Sequence, residues 1–230
     1  MDRKNTPPVD QYWAALDAAL PSFSPEEQRV AVTLYRELAK GQPVDAVQLG
    51  LALGRSAAEA RALLERDSLK VFVYPDDQGR VLGFGGLTAA RAHHKLELEG
   101  RALWTWCAWD TLFIPEILGE RGRITSPDPE TGEPVHLIVT PREIEAAEPG
   151  HAVVSFLLPD AHDFVTSGVN PMATFCHFVF FFASRASGER WVAKHPGTFL
   201  YSLDDAFGLA NRFNARKFGL ELARRRAAAA

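Results

Sequence analysis

Apolar residues recur at three- and four-residue steps over the first third of the chain and at two-residue steps over much of the middle, which predicts helices followed by strands. Tyr12 to Leu20 read as a short amphipathic helix closed by Pro21. Ser24-Pro25-Glu26-Glu27 offers an N-cap serine, a proline in the first turn and a capping-box glutamate, and Val30, Leu34 and Leu38 then lay an apolar stripe up to Gly41. A further helix is expected from about Pro43 to Leu53, stopped by Gly54. The next opens at Ser56 with Glu59 and buries Ala60, Leu63 and Leu64. Leu69 to Tyr74 and Val81 to Leu87 read as two strands, joined by a turn at Pro75-Asp76-Asp77-Gln78-Gly79. Three helices followed by a hairpin predict a winged-helix-like module over residues 1–87.

Residues 88–100, with Arg91, His93, His94 and Lys95, read as a surface linker. Residues 101–230 are expected to form a mixed domain of antiparallel strands and helices, so the fold class is α+β. A helix carrying Cys107 ends at Gly119. Strands follow from Arg123, over Val135 to Val139 and over Ala152 to Leu158. Pro159 to Met172 forms a long polar loop. The run Phe175 to Phe182 reads as a buried strand with Cys176, Phe178, Phe180 and Phe182 on one face and His177 on the other. A last helix opens at Ser202 and Asp205, and the basic, alanine-ended tail from Arg216 is expected to fray.

Composition narrows the function. With 47% hydrophobic residues among 230, the chain can bury a substantial core, and two cysteines do not make a disulfide framework. The start lacks the apolar core of a signal peptide, and no uninterrupted apolar run is long enough to span a membrane, which places the expected site of action in a reducing cytoplasm. Net charge is -4. Between Ser24 and Leu87 there are 8 Lys plus Arg against 9 Asp plus Glu, too few net positive charges for the phosphate neutralisation that drives DNA binding. Neither nucleic acid nor membrane is an expected partner. His93 and His94 are adjacent and lack the spacing of a metal site.

The chemistry concentrates at Trp104-Thr105-Trp106-Cys107-Ala108-Trp109-Asp110-Thr111. On a helix, Cys107 and Asp110 would share a face, with a thiol and a carboxylate side by side among indole rings. Spacing alone leaves two readings open: a proton-transfer pair, or a cysteine packed as a small hydrophobe.

Trp106-Cys107-Ala108-Trp109-Asp110-Thr111-Leu112 resembles the first active-site motif of the alkylmercury lyases, and Phe175-Cys176 through Ala183-Ser184 resembles their second cysteine motif. Arg123 to Ser126, Thr131 to Val135, Trp191 to His195 and Ala206 to Leu209 follow in that family's order, from about Leu103 to about Asn214. The resemblance implies protonolytic cleavage of a carbon–mercury bond. Cys107, Asp110 and Cys176 would be catalytic, and the two cysteines would hold the Hg(II) product. Apolar walls from Trp106, Trp109 and Phe178 would receive the organic group. It implies no organic cofactor, and release of mercury to cytosolic thiols or a mercuric reductase. It also implies an amino-terminal winged-helix-like domain not used for reading DNA. Known members carry further cysteines in the segment matching Ser126 to Glu130 and directly after the second catalytic cysteine; here the former has none and the latter is His177. The stretch Val169 to Thr174 also departs from the family pattern. The other readings are a winged-helix regulator or metal sensor, and a lyase-like protein acting on another organometal.

Overall fold

The computed structural model describes residues 6–158 and 175–228. The loop Pro159 to Met172 and the divergent stretch Val169 to Thr174 lie outside the described residues. The amino-terminal helices are α1 (Val9–Ala19), α2 (Pro25–Leu38), α3 (Ala46–Leu53) and α4 (Ala57–Leu64). The capping box of α2 forms as its sequence dictates: Ser24 Oγ accepts the Glu27 N–H at 3.3 Å, and the Glu27 carboxylate accepts the Ser24 N–H at 2.7 Å. Helix α3 starts later than expected because Asp45 caps it, its carboxylate accepting the Gln48 N–H at 2.8 Å.

The stretch read as a first wing strand divides between a short helix, α5 (Asp67–Lys70), and β1 (Val73–Pro75), which pairs with β2 (Val81–Phe84) in an antiparallel hairpin. Beyond it, β3 (Leu87–Thr88), β4 (His94–Leu98), β5 (Arg101–Thr105), β6 (Gly122–Pro127), β7 (Pro134–Val139) and β8 (Ile144–Glu148) complete an eight-stranded antiparallel sheet ordered β1-β2-β3-β5-β4-β6-β7-β8.

The linker reading of residues 88–100 is therefore corrected. His94, Leu96 and Leu98 are buried on one face of β4, and Lys95 and Glu97 alternate with them at half-exposed positions. That is the period of two of a strand, and the charged residues occupy its outward half. The β1–β2 hairpin and the strands of the second half share one sheet.

A smaller antiparallel sheet has β9 (Val153–Leu157) between β10 (Phe181–Phe182) and β11 (Thr198–Ser202). Helix α6 (Asp110–Leu118) packs in the main core, α7 (Arg185–Lys194) covers the small sheet, and α8 (Leu203–Ala228) closes the described chain. The fold is mixed α+β with antiparallel sheets. No helix among the described residues is long and apolar enough to cross a membrane.

The tail expected to fray is helical and packed. Lys217, Phe218 and Leu222 are buried, and α8 lies against both α2 and α6. The basic residues hold it down: Arg216 bonds Asp17 at 2.8 Å, and Arg225 donates to the carbonyls of Glu116 and Ile117 at the end of α6. The Phe218 ring meets Phe23, Tyr35 and Phe213. Phe218→Ala should therefore lower unfolding free energy by about 3 to 5 kcal/mol in urea denaturation; a loss below about 1 kcal/mol would mean that this helix does not pack on the core.

Candidate active site

Cys107 is not on a helix. It sits in the tight connection between β5 and α6, the latter beginning at Asp110. Side chains with a hydroxyl shape this connection: Thr105 Oγ1 donates to the Cys107 carbonyl at 2.9 Å, and Thr111 Oγ1 donates to the Ala108 carbonyl at 2.6 Å. The turn brings the Cys107 N–H onto Asp110 Oδ2 at 2.8 Å. The pair expected from helical spacing is adjacent for a different reason: the carboxylate folds back on the turn that precedes its own helix.

Cys176 departs from expectation in the same way. Cys176–Phe178 form a single 3-10 turn, and only Phe181 and Phe182 of the aromatic run join the sheet. Ser155 on β9 explains why strand pairing stops there. Its backbone N–H still donates to the Phe180 carbonyl at 3.0 Å, but its hydroxyl takes the Phe180 N–H at 3.0 Å and donates to the Phe178 carbonyl at 2.7 Å, so side-chain bonds take over beyond that point. His177 is exposed, directed away from the cysteines as anticipated, although the strand invoked to turn it away is absent. Phe178, expected in the pocket with Cys176, packs instead toward Val153, Phe182, Trp191 and Leu200 in a separate cluster. Phe175 takes its place in the cavity wall.

One backbone bond ties the two distant segments together. Ala108, next to Cys107, donates its N–H to the carbonyl of Val179 at 3.0 Å. The result is that Cys107, Asp110 and Cys176, all buried, bring two thiol sulfurs and a carboxylate oxygen within 4.8 Å of one another. Both cysteines are free thiols.

Burial governs the protonation of all three. It pushes the Asp110 carboxyl up to about 7 against the opposing pull of hydrogen bonds from Cys107 and the Trp106 backbone. It raises the Cys107 thiol well above the ordinary range, helped by its hydrogen bond to Cys176 and the nearby Asp110 charge. Cys176 differs: the hydrogen bond from Cys107 favours its thiolate, but burial and Asp110 together outweigh it and leave it raised.

A cavity of about 60 Å³ opens on this group. Trp106, Trp109, Asp110 and Cys176 line it, as do Phe113, Phe175 and Phe213, while Leu16, Leu20, Phe23, Tyr35, Phe72 and Phe84 come from the amino-terminal elements. Cys107 lies behind that lining with no exposed surface. Trp109 is fixed by its indole N–H, which donates to the Ala206 carbonyl of α8 at 3.0 Å.

Gly85 and Gly86, which the strand reading absorbed, are part of the site. Gly86 has φ +96°, and a Cβ there would collide with the Asp110 carboxylate; Gly85 stands in the same relation to the Tyr35 hydroxyl. The signal was the Gly-Gly pair itself, since such a pair inside an apolar run marks a close backbone approach. Ser126 is buried and lies 2.7 Å from His94 Nδ1.

With this geometry in view, similarity to known proteins becomes interpretable. The family model described as alkylmercury lyase matches residues 87–214. The alkylmercury lyase of Pseudomonas putida is 39% identical over 188 residues, covering 81% of this chain and 84% of that protein. This chain belongs to the alkylmercury lyase family. Another alkylmercury lyase, from Streptomyces lividans, is 37% identical over 176 residues, 76% of this chain and 77% of that one. The alkylmercury lyase of Staphylococcus epidermidis is 35% identical over 184 residues, 80% of each. Among solved structures, the mercury-bound form of MerB2 superposes with a TM-score of 0.69 at 20% identity, covering 89% of this chain and 96% of that one, a likeness of fold. The family match begins at β3, just after Gly86, and takes in Cys107, Asp110 and Cys176.

The raised Asp110 carboxyl has a thermodynamic consequence. Its group stabilises the fold below the unfolded value near pH 4, and this contribution is lost as pH rises toward about 7. Asp110→Asn keeps an acceptor for the Cys107 N–H but has no charge to bury. The variant should gain about 2 to 4 kcal/mol relative to the parent between pH 5 and pH 8, read from denaturation curves. A pH-independent difference would contradict the assignment.

Proposed function

We propose that this chain cleaves the carbon–mercury bond of small organomercurials by protonolysis, with Cys107, Asp110 and Cys176 as the working groups. The observation that carries the reading is the clustering of two free thiols and a buried carboxyl within 4.8 Å at the wall of an apolar cavity. Thiolates are the soft ligands among side chains, and mercury is a soft ion.

Cys176 faces the cavity and so meets the organomercurial first; its sulfur binds mercury, and its thiol proton leaves with the displaced exchangeable ligand. Asp110 takes the proton of Cys107, whose sulfur becomes the second ligand. Two sulfur donors weaken the bond to carbon. The Asp110 O–H then delivers its proton to that carbon, and the electron pair of the breaking carbon–mercury bond forms the new C–H bond. Hydrocarbon leaves, the carboxylate is restored, and Hg(II) stays on Cys107 and Cys176. A carboxyl poised near 7 suits both halves of this transfer. External thiols, or a mercuric reductase, would then remove the ion by exchange, and no organic cofactor is required.

Size favours short organic groups. An apolar cavity of about 150 Å³ accommodates benzene, whereas about 60 Å³ suits a methyl or ethyl group and requires the walls to move for an aryl ring. We also infer that residues 1–87 form the winged-helix-like module and serve chiefly to close the cavity, since α1, α2 and the hairpin supply much of its wall.

With ethylmercury and excess thiol, ethane should appear by gas chromatography. Cys107→Ser and Cys176→Ser should each slow its release by about a thousandfold or more; parent-like rates in both would end the proposal. Asp110→Asn should still capture mercury while losing about 100- to 10,000-fold in hydrocarbon release. Unchanged release would remove Asp110 from the mechanism.

A further inference from the structure

The cavity wall contains a charged group that the reaction above does not use. Lys217 of α8 is 1% exposed and lines the same cavity as Asp110 and Cys176. Its Nζ donates to the Pro21 carbonyl and lies 4.5 Å from the ring centre of Phe23 and 5.3 Å from that of Phe72. An ammonium has three donors, and a single acceptor for it is present among the described residues. Burying an amine in such surroundings is costly. Burial accordingly brings its pKa down to about 7; Arg216 adds to the lowering, and Asp17 and Glu27 oppose it.

The rest of the wall supplies little polarity. Tyr35 is committed to the Gly85 carbonyl at 2.6 Å, and Asp110 and Cys176 belong to the reaction. Lys217 stands against Pro21, Phe23 and Phe72, while Asp110 stands against Gly86 and Cys107. An organic group held by its mercury at the sulfurs therefore extends into a greasy space whose remaining cationic feature, among the described residues, is this amine.

Resting on the lyase reading, we propose that Lys217 is a specificity residue that receives a carboxylate at the end of a short organic group, making mercurated short-chain carboxylic acids favoured substrates. The carboxylate fills the unused donors of the ammonium and restores its charge in the cavity. The cavity of about 60 Å³ limits the intervening chain to one or two carbons.

The test compares two probes that share a three-carbon chain and differ in its terminal carboxylate, 2-carboxyethylmercury and n-propylmercury, by kcat/KM with the full-length protein in excess thiol. The parent should prefer the carboxylated probe by about tenfold or more, the scale of one hydrogen bond to a charged group. Lys217→Met should abolish that preference while keeping propylmercury cleavage within about threefold of the parent. In the parent, the preference should also shrink as pH rises through about 7, where the amine loses its proton; taking the ratio of the two substrates cancels the titration of Asp110. Butanoate, but not butanol, should inhibit propylmercury cleavage competitively. If Lys217→Met does not fold, these two measurements on the parent decide. A parent with no preference, or a variant that slows both probes equally, would assign Lys217 to fastening α8 to Pro21 and overturn the proposal. Hydrocarbon from neither probe would instead strike at the lyase reading.

Discussion

Removal of water from three ionisable groups at once is the constraint on which the site depends. Alone, each of Cys107, Asp110 and Cys176 would titrate in its ordinary range and carry no special chemistry. Buried together, none gives up its proton readily. A resting site in which both thiols stay neutral and only the carboxyl titrates near neutral pH costs less to bury than one with three charges. In the proposed reaction the thiols keep their protons until a soft, cationic ligand makes two thiolates worth forming. In the proposed reaction the carboxyl is the intermediary because it alone among the three is held near 7.

The fold serves that constraint with a few specific bonds. The Ala108 to Val179 hydrogen bond joins residues 71 positions apart and ties together the segments that carry the two cysteines. Ser155 bends the second segment out of strand geometry. A buried aspartate, Asp128, anchors that segment further along, accepting the Ala183 N–H at 2.9 Å and the Ser187 hydroxyl at 2.6 Å. Gly86 lets a backbone turn lie directly on the carboxylate. The amino-terminal helices then shut the cavity, and α8, whose last turns are clamped by Arg216 and Arg225, holds both halves of the chain.

Much of this was readable from residue order. Capping boxes at Ser24 and Ser56 marked helix starts because their signals are local. Cys107, Asp110 and Cys176 were chosen from motif resemblance, and their convergence is a matter of tertiary contacts that periodicity does not encode. The errors share a cause. Trp104 to Thr111 and Phe175 to Phe182 were assigned regular structure from their apolar content, but their backbones are bent by side-chain hydrogen bonds from Thr105, Thr111 and Ser155. Charged residues misled in the opposite direction: Lys95 and Glu97 made a central strand resemble a connector, and Arg216 onward resembled a loose tail while ending in ion pairs and carbonyl bonds. Lys217 escaped notice because a lysine in a basic run reads as solvent-facing unless its helix phase is known.

The central claim is that both sulfurs and one proton from the carboxyl act on a single mercury atom. A single-turnover reaction tests it most directly: one equivalent of ethylmercury, no added thiol, with ethane and remaining free thiols counted together. The account predicts one ethane per chain with both thiols lost to titration and one mercury retained. Ethane released while one cysteine remains freely titratable would contradict it.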